Sequence, residues 1–128
     1  MNSTATVPAG GDPGAMDFQR MDVYRVALEF QARVPSLVPG RGYSSLRDQI
    51  DRASASILLN IAEGCGRFSR SDKAQFYLIA RGSAMECAAA LDVLLSRDLL
   101  APAAHRYAHA LLVRVTQMLT KLVQRMQA

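Results

Sequence analysis

The chain predicts an all-α fold, an up-down-up-down antiparallel four-helix bundle, and three observations carry that prediction. Half of its 128 residues are apolar, yet aromatics make up only 6% and Trp is absent. Ala, Leu, Val and Met dominate, which favours helix-on-helix packing over sheet. Apolar residues recur at spacings of three and four in four stretches, separated by Pro, Gly and Ser breakers. The length suits one domain with a useful core, and the short links make successive helices antiparallel.

Residues 1–16 form an N-terminal tail with Pro8, Gly10, Gly11, Pro13 and Gly14. It holds too few apolar side chains to offset its ordering entropy, so flexibility is expected. The bundle domain follows over 17–128. A first helix is expected near 17–35, with Met21, Tyr24, Ala27, Leu28 and Gln31 inward and Pro35 as its stop. The link to Gly42 holds Pro35, Pro39, Gly40 and Gly42. A second helix, near 43–64, is capped by Ser44 or Ser45, and Gly64 suits a left-handed C-terminal position.

The run Gly64-Cys-Gly-Arg then turns the chain. Ser69 or Ser71 caps a third helix near 69–97, with Asp72 in its first turn where the dipole favours an acid. Its expected inward residues are Phe76, Ile79, Ala80, Ser83, Cys87, Leu91 and Leu94. Pro102 opens a fourth helix near 102–126, with Leu111, Val115, Met118, Leu122 and Met126 inward.

The second helix carries two stripes. Leu46, Ile50, Ala53, Ile57, Asn60 or Ile61, and Gly64 make an apolar seam. Beside it, Gln49, Arg52, Ser56, Asn60 and Glu63 make a polar line about 100° around the axis. If the second and third helices fold as a hairpin near Arg67, Arg52 falls opposite Gly82 and Ser83, with Glu86 one turn away. An Arg52–Glu86 ion pair is therefore expected, within one subunit or across two, supported by Ser56 and Ser83. Glu63, beside unpaired helix carbonyls, needs a donor from Arg67, Arg70, Lys73 or another chain. The line reads as a register-fixing network in preference to a catalytic acid–base site, because perturbed carboxylates imply catalysis only in a cleft.

These residues carry a resemblance. The pattern Gln49, Arg52-Ala53, Ser56-Ile57, Asn60-Ile61-Ala62-Glu63-Gly64, Gly66-Arg67, then Gly82-Ser83 and Glu86, resembles the four helix bundle protein family, also called the rRNA intervening-sequence protein family. That family is similar in fold to the accessory variability determinant of diversity-generating retroelements, a pentameric nucleic-acid-binding bundle. The resemblance covers most of the chain beyond residue 16. It implies the bundle fold, a homo-oligomer with five subunits as the expected number, and a link to nucleic acid.

The net charge is +4, with thirteen Arg against two Lys. Arg suits bidentate phosphate contacts, although GC-rich codon usage gives the same excess. Two basic groups stand out: Arg67, Arg70 and Lys73 in the second turn of the chain, and Arg114, Lys121 and Arg125 along the fourth helix, where no Asp or Glu follows Ala101. They read either as solvated faces or as a backbone-binding footprint for RNA or DNA. Leu58, Leu59 and Ala62, then Leu95 with Ala88 and Ala89, then Leu112, Leu119 and Val123, exceed what one bundle needs and suggest a subunit interface.

No catalytic constellation is legible, so the protein is expected not to be an enzyme. His105 and His109 share a face, but no third ligand or neighbouring acid accompanies them in the sequence, and no metal or cofactor is expected. Cys65 and Cys87 lack zinc or thioredoxin spacing and read as reduced thiols, with Cys65 the more reactive among basic neighbours. No apolar run approaches the roughly 20 residues a membrane span needs. A cytoplasmic location is expected, with no secretory signal. The expected partners are the chain itself, RNA or DNA, and, as an alternative role, a nucleic-acid enzyme for which the bundle is an accessory subunit.

Overall fold

The computed structural model describes residues 6–38, 40 and 42–128. Residues 1–5 of the tail and Pro39 of the first link lie outside the described residues. Four helices follow a short 3₁₀ turn at Asp17–Arg20: α1 at Asp22–Leu37, α2 at Ser44–Gly66, α3 at Arg70–Ser96 and α4 at Pro102–Gln127. Each packs on its two neighbours in the order α1, α2, α3, α4, and α4 returns to α1, which closes the bundle. The pairs α2/α3 and α3/α4 make the longest interfaces. The fold class is the one the apolar spacing and short links dictate.

The first helix starts later and ends later than expected. Met21 is extended (φ −76°, ψ 132°) and separates the 3₁₀ turn from α1. Pro35 lies inside α1, which runs on to Leu37. In the last turn a proline removes a single ladder bond, and burial of Val34 and Leu37 offsets that loss. The buried face of α1 is Val23, Val26, Ala27, Phe30, Val34 and Leu37; of the expected face only Ala27 is fully buried. Both sets follow helical spacing, and the one richer in branched and aromatic side chains took the core. Residues 6–16 form turns that the Arg20 guanidinium holds, donating to the carbonyls of Gly10 (2.8 Å), Asp12 (3.3 Å) and Ala15 (3.1 Å).

Helix α2 buries Ile50, Ala53, Ser54, Ile57, Ile61 and Gly64, the expected seam almost residue for residue. Its N-cap is Tyr43, with no side-chain capping bond, so neither Ser44 nor Ser45 caps it. Gly42 precedes it at φ +83°, the left-handed conformation that glycine adopts without a Cβ clash. Gly64 is not left-handed. The helix passes through it to Gly66, and its missing side chain makes room for the Tyr77 ring. Lys73 Nζ then caps the end of α2, donating to the carbonyls of Gly64 (3.3 Å) and Cys65 (2.7 Å).

Ser69 is the N-cap of α3 and accepts from the Asp72 amide at 3.0 Å. The helix buries Ala74, Tyr77, Ala80, Ala84, Cys87, Ala90, Leu91 and Leu94. The expected inward residues Phe76 and Ser83 are only half-buried and Ile79 is 46% exposed. The core stripe follows the alanines instead, because small residues let α2 and α4 approach α3 closely. Asp98, at φ 56°, ends the helix, and the Leu99 amide reaches the Leu94 carbonyl at 2.9 Å. Pro102 opens α4 as expected. There Leu112, Leu119 and Val123 are core residues and not an extra face, while Met118, Leu122 and Met126 lie at its edge.

A Cβ on Gly64 would come within 2.8 Å of Tyr77 Cε1 and 3.1 Å of Phe76 Cβ. The Tyr77 ring is 3% exposed and has nowhere to retreat. Gly64→Ala should therefore destabilise by about 1–3 kcal/mol through overpacking, against a helix-propensity gain of about 1 kcal/mol. Urea unfolding checks the sign; a more stable variant would show that Tyr77 is free to move.

Candidate nucleic-acid interface and polar network

The α2–α3 seam assembles most of the polar line. Ser56 and Ser83 hydroxyls hydrogen-bond at 2.8 Å, and Asn60 Nδ2 donates to the Ser56 carbonyl (2.8 Å) and hydroxyl (3.0 Å). Gln49 Nε2 donates to Glu86 Oε1 at 3.4 Å. Glu63 takes its donor from Arg67 at 2.8 Å, both side chains about half exposed. These bonds tie α2 to α3 or α2 to its own last turn, so the arrangement sets helix register.

Within one chain the expected Arg52–Glu86 ion pair is absent among the described residues. The Ser56–Ser83 contact sets Arg52 level with Glu86, yet it is Gln49 that reaches Glu86. Arg52 lies one turn further on, turned to solvent and exposed. The pair is missing because the exposed Arg52 side chain turns to solvent, and not because the two residues lie at different levels along the hairpin.

One member of the first basic group, Arg70, reaches the end of α4 that carries part of the second. Arg70 Nη1 donates to the main-chain oxygen of Ala128 at 3.2 Å, so the start of α3 touches the end of α4. Arg114, Lys121 and Arg125 are exposed along α4 and, among the described residues, join no ion pair. Lys121 and Arg125 border a groove of about 320 Å³ between α1 and α4, floored by Met21, Met118 and Leu122, with Asp22 at its edge. The first group is less free. Arg67 stacks on the Phe76 ring at 4.7 Å while it holds Glu63, and Lys73 is half-buried in its capping role. Arg70 alone of the three reaches outward without an acidic partner.

Other contacts join residues too far apart in sequence to be read together. Tyr107 Oη donates to Glu29 at 2.6 Å, with the Arg33 guanidinium 4.8 Å from the ring. Arg81 Nε donates to Thr120 Oγ1 at 2.9 Å and ties α3 to α4. His105 does have a neighbouring acid: Asp92 of α3 lies 2.8 Å from its Nε2, and His109 stacks on it at 5.5 Å. Among the described residues no group of three or more His, Cys, Asp and Glu is arranged to hold a metal ion.

Cys65 lies within α2, not in a loop. Burial pushes its thiol up, Lys73 opposes that shift and Asp17 adds to it. Burial first, then the charge of Glu86, pushes the Cys87 thiol up to about 12. A raised pKa lowers the thiolate fraction, so at pH 8 both thiols should alkylate more slowly than a free cysteine, Cys87 only after unfolding. Rapid native labelling of Cys87 would contradict its burial.

Ser56→Ala and Ser83→Ala, measured singly and together, should show a coupling of about 0.5–1.5 kcal/mol. Arg52→Ala should move stability by no more than about 0.5 kcal/mol. A large Arg52 effect with uncoupled serines would place the register contact elsewhere.

With this geometry in hand, comparison with known proteins is informative. No curated protein matches the chain significantly. A crystal structure of a protein of unknown function from the S23 ribosomal protein family of Bacteroides thetaiotaomicron superposes with a TM-score of 0.74. The two are 24% identical, and the match covers 79% of this chain and 97% of that one, which supports the fold. The profile of the 23S rRNA-intervening sequence proteins matches residues 19–121, from the 3₁₀ turn well into α4. The chain belongs to the 23S rRNA-intervening sequence protein family.

Proposed function

We propose that the protein is a non-enzymatic, cytoplasmic, self-assembling bundle that binds the backbone of RNA or DNA with little sequence preference. The observation that carries this reading is the gathering, along α4 and at its end, of cations that join no ion pair among the described residues. The Arg70–Ala128 contact (3.2 Å) brings the start of α3 beside Arg125 and Lys121, one and two turns back along α4. Arg114 continues the line about 10 Å beyond Lys121. No acid on α4 competes with a phosphate for these groups. Tyr107, the aromatic of α4, is engaged by Glu29 and Arg33. Phosphate contact without base contact gives affinity and little specificity.

A charge of +4 per chain is weak for holding a polyanion, and assembly answers this: five copies of +4, in the ring the family resemblance suggests, carry +20. The second reading is an accessory subunit of a nucleic-acid enzyme. It is favoured by apolar residues left outside, with Leu59, Leu78, Ile79 and Met85 each 46–68% exposed on α2 and α3. No described helix is long and apolar enough to cross a membrane.

A labelled single strand should bind at low salt and weaken steeply on going to moderate salt, because each phosphate contact releases counterions. Replacing Arg114, Lys121 and Arg125 with Gln should cut low-salt affinity at least tenfold, with the salt slope falling by about one per lost contact. Unchanged binding in that variant overturns the α4 face. No binding even at low salt leaves the accessory-subunit reading.

A further inference from the structure

Polar residues alone line a groove of about 480 Å³ between α3 and α4. Arg81 comes from α3; Thr116, Gln117, Thr120, Lys121 and Gln124 come from α4. No acid is among them. The acid nearest to Arg81 along α3, Glu86, accepts from Gln49 of α2 and so faces the other neighbour of the helix. Arg81 is the organised member. Its Nε donates to Thr120 Oγ1 at 2.9 Å, and that hydroxyl donates its own proton to the Thr116 carbonyl at 2.8 Å. Thr120 can therefore only accept from the arginine, which fixes how the guanidinium lies. The bond engages one N–H of five. The four on Nη1 and Nη2 join no hydrogen bond or ion pair among the described residues.

A tie between two helices needs only one bond. A half-buried guanidinium with its plane set and its outer edge free is what bidentate recognition of an oxyanion requires. Little side-chain freedom remains to be lost when the anion arrives. We infer that this groove seats a phosphate of a nucleic-acid strand, with Arg81 as the bidentate anchor and Lys121 as the second cation. Two observations choose a strand over an acidic peptide or a lone anion. The groove offers carboxamides and hydroxyls, which match sugar oxygens, and no apolar residue for a peptide side chain. The cations also continue beyond it: Arg125 stands about 6 Å from Lys121 along the α4 axis and Arg114 about 10 Å the other way, which suits a polymer of repeated charges.

The inference rests on the nucleic-acid half of the proposed function and adds a shaped site to what is otherwise charge alone. The two differ in what they require. A diffuse cationic face depends on the number of charges, whereas a seat depends on the orientation of one guanidinium. Arg81 belongs to neither basic group of the sequence, because its partner Thr120 lies 39 residues away.

Two experiments decide it. Thr120→Val keeps every charge and removes the acceptor that orients Arg81. It should weaken binding of a labelled single strand about fivefold at low salt and leave the salt slope unchanged. Arg81→Gln should weaken binding about tenfold and lower the slope by about one. Arg81→Lys, which keeps the charge and loses the fork, should behave as Thr120→Val does. A merely structural tie would lower the urea midpoint in these variants without moving the slope in Arg81→Gln alone. The second experiment uses the unaltered protein. A saturating strand should protect Arg81 from phenylglyoxal, read by peptide mass, while millimolar inorganic phosphate or polyglutamate at equal charge should not. Binding that Arg81→Gln and Thr120→Val both leave unchanged overturns the seat and spares the α4 face. Equal protection by phosphate or polyglutamate overturns the choice of a strand. No binding by the unaltered protein at low salt overturns both the seat and the reading beneath it.

Discussion

The bundle depends on how closely α2 approaches α3. Two contacts set that approach. At one end Gly64 has no side chain, so the buried Tyr77 ring lies against the α2 backbone. Two turns away the Ser56 and Ser83 hydroxyls meet at 2.8 Å, a distance only small side chains allow. Between them Ile57, Ile61 and Ala80 are sealed from water. With this hairpin fixed, α4 lies along the opposite flank of α3 and is tied by Arg81 to Thr120. Helix α1, the shortest at 16 residues, then covers the remaining core with Phe30 and Val34.

The same construction sorts the surface by chemistry. Alanines face inward on α3, so its larger apolar residues Leu78, Ile79 and Met85 are left outside. The charges of α2 and α3 are mixed in sign, whereas α4 carries cations alone. One side of the molecule is thus apolar and nearly neutral, and another is positive. A protein that assembles through one face and meets a polyanion with another requires this separation, because a cationic patch in a subunit contact would repel its own copy.

What the sequence disclosed and what it hid follow from physical range. The α2 seam, the Ser69 cap and the Pro102 start rest on contacts within one turn, and all three were legible. The α1 face was misread because two interleaved sets of residues share the same periodicity. Only tertiary packing chose Val23, Phe30 and Val34 over Met21, Tyr24 and Leu28. Gly64 looked like a helix terminator because its partner, Tyr77, lies thirteen residues away in sequence and cannot be placed before the hairpin is. Within one chain the Arg52–Glu86 expectation failed on direction and not on level: the two are nearly level across the hairpin, but helical spacing alone does not say that Arg52 turns to solvent. On the basic groups, sequence named the residues but not their fates. Capping by Lys73 and stacking of Arg67 are three-dimensional facts, and they shift the candidate interface toward Arg70 and α4.

The α4 ridge and the proposed α3–α4 seat meet different needs of the same ligand. Exposed cations on α4 attract a polyanion from a distance, and salt screens them because they stand in water. Arg81 lies half-buried behind that ridge with its plane set by Thr120, so it acts only at contact. The ridge would bring a strand in, and the seat would give it a fixed point, since phosphate contacts position a strand without reading its bases. That matters most for weak, non-specific binding, where a single face of four cations holds too few phosphates to compete with physiological salt. Both depend on the same packing. The bond that ties α4 to α3 is the one that aims the guanidinium, so the seat is only as well aligned as the two helices are packed.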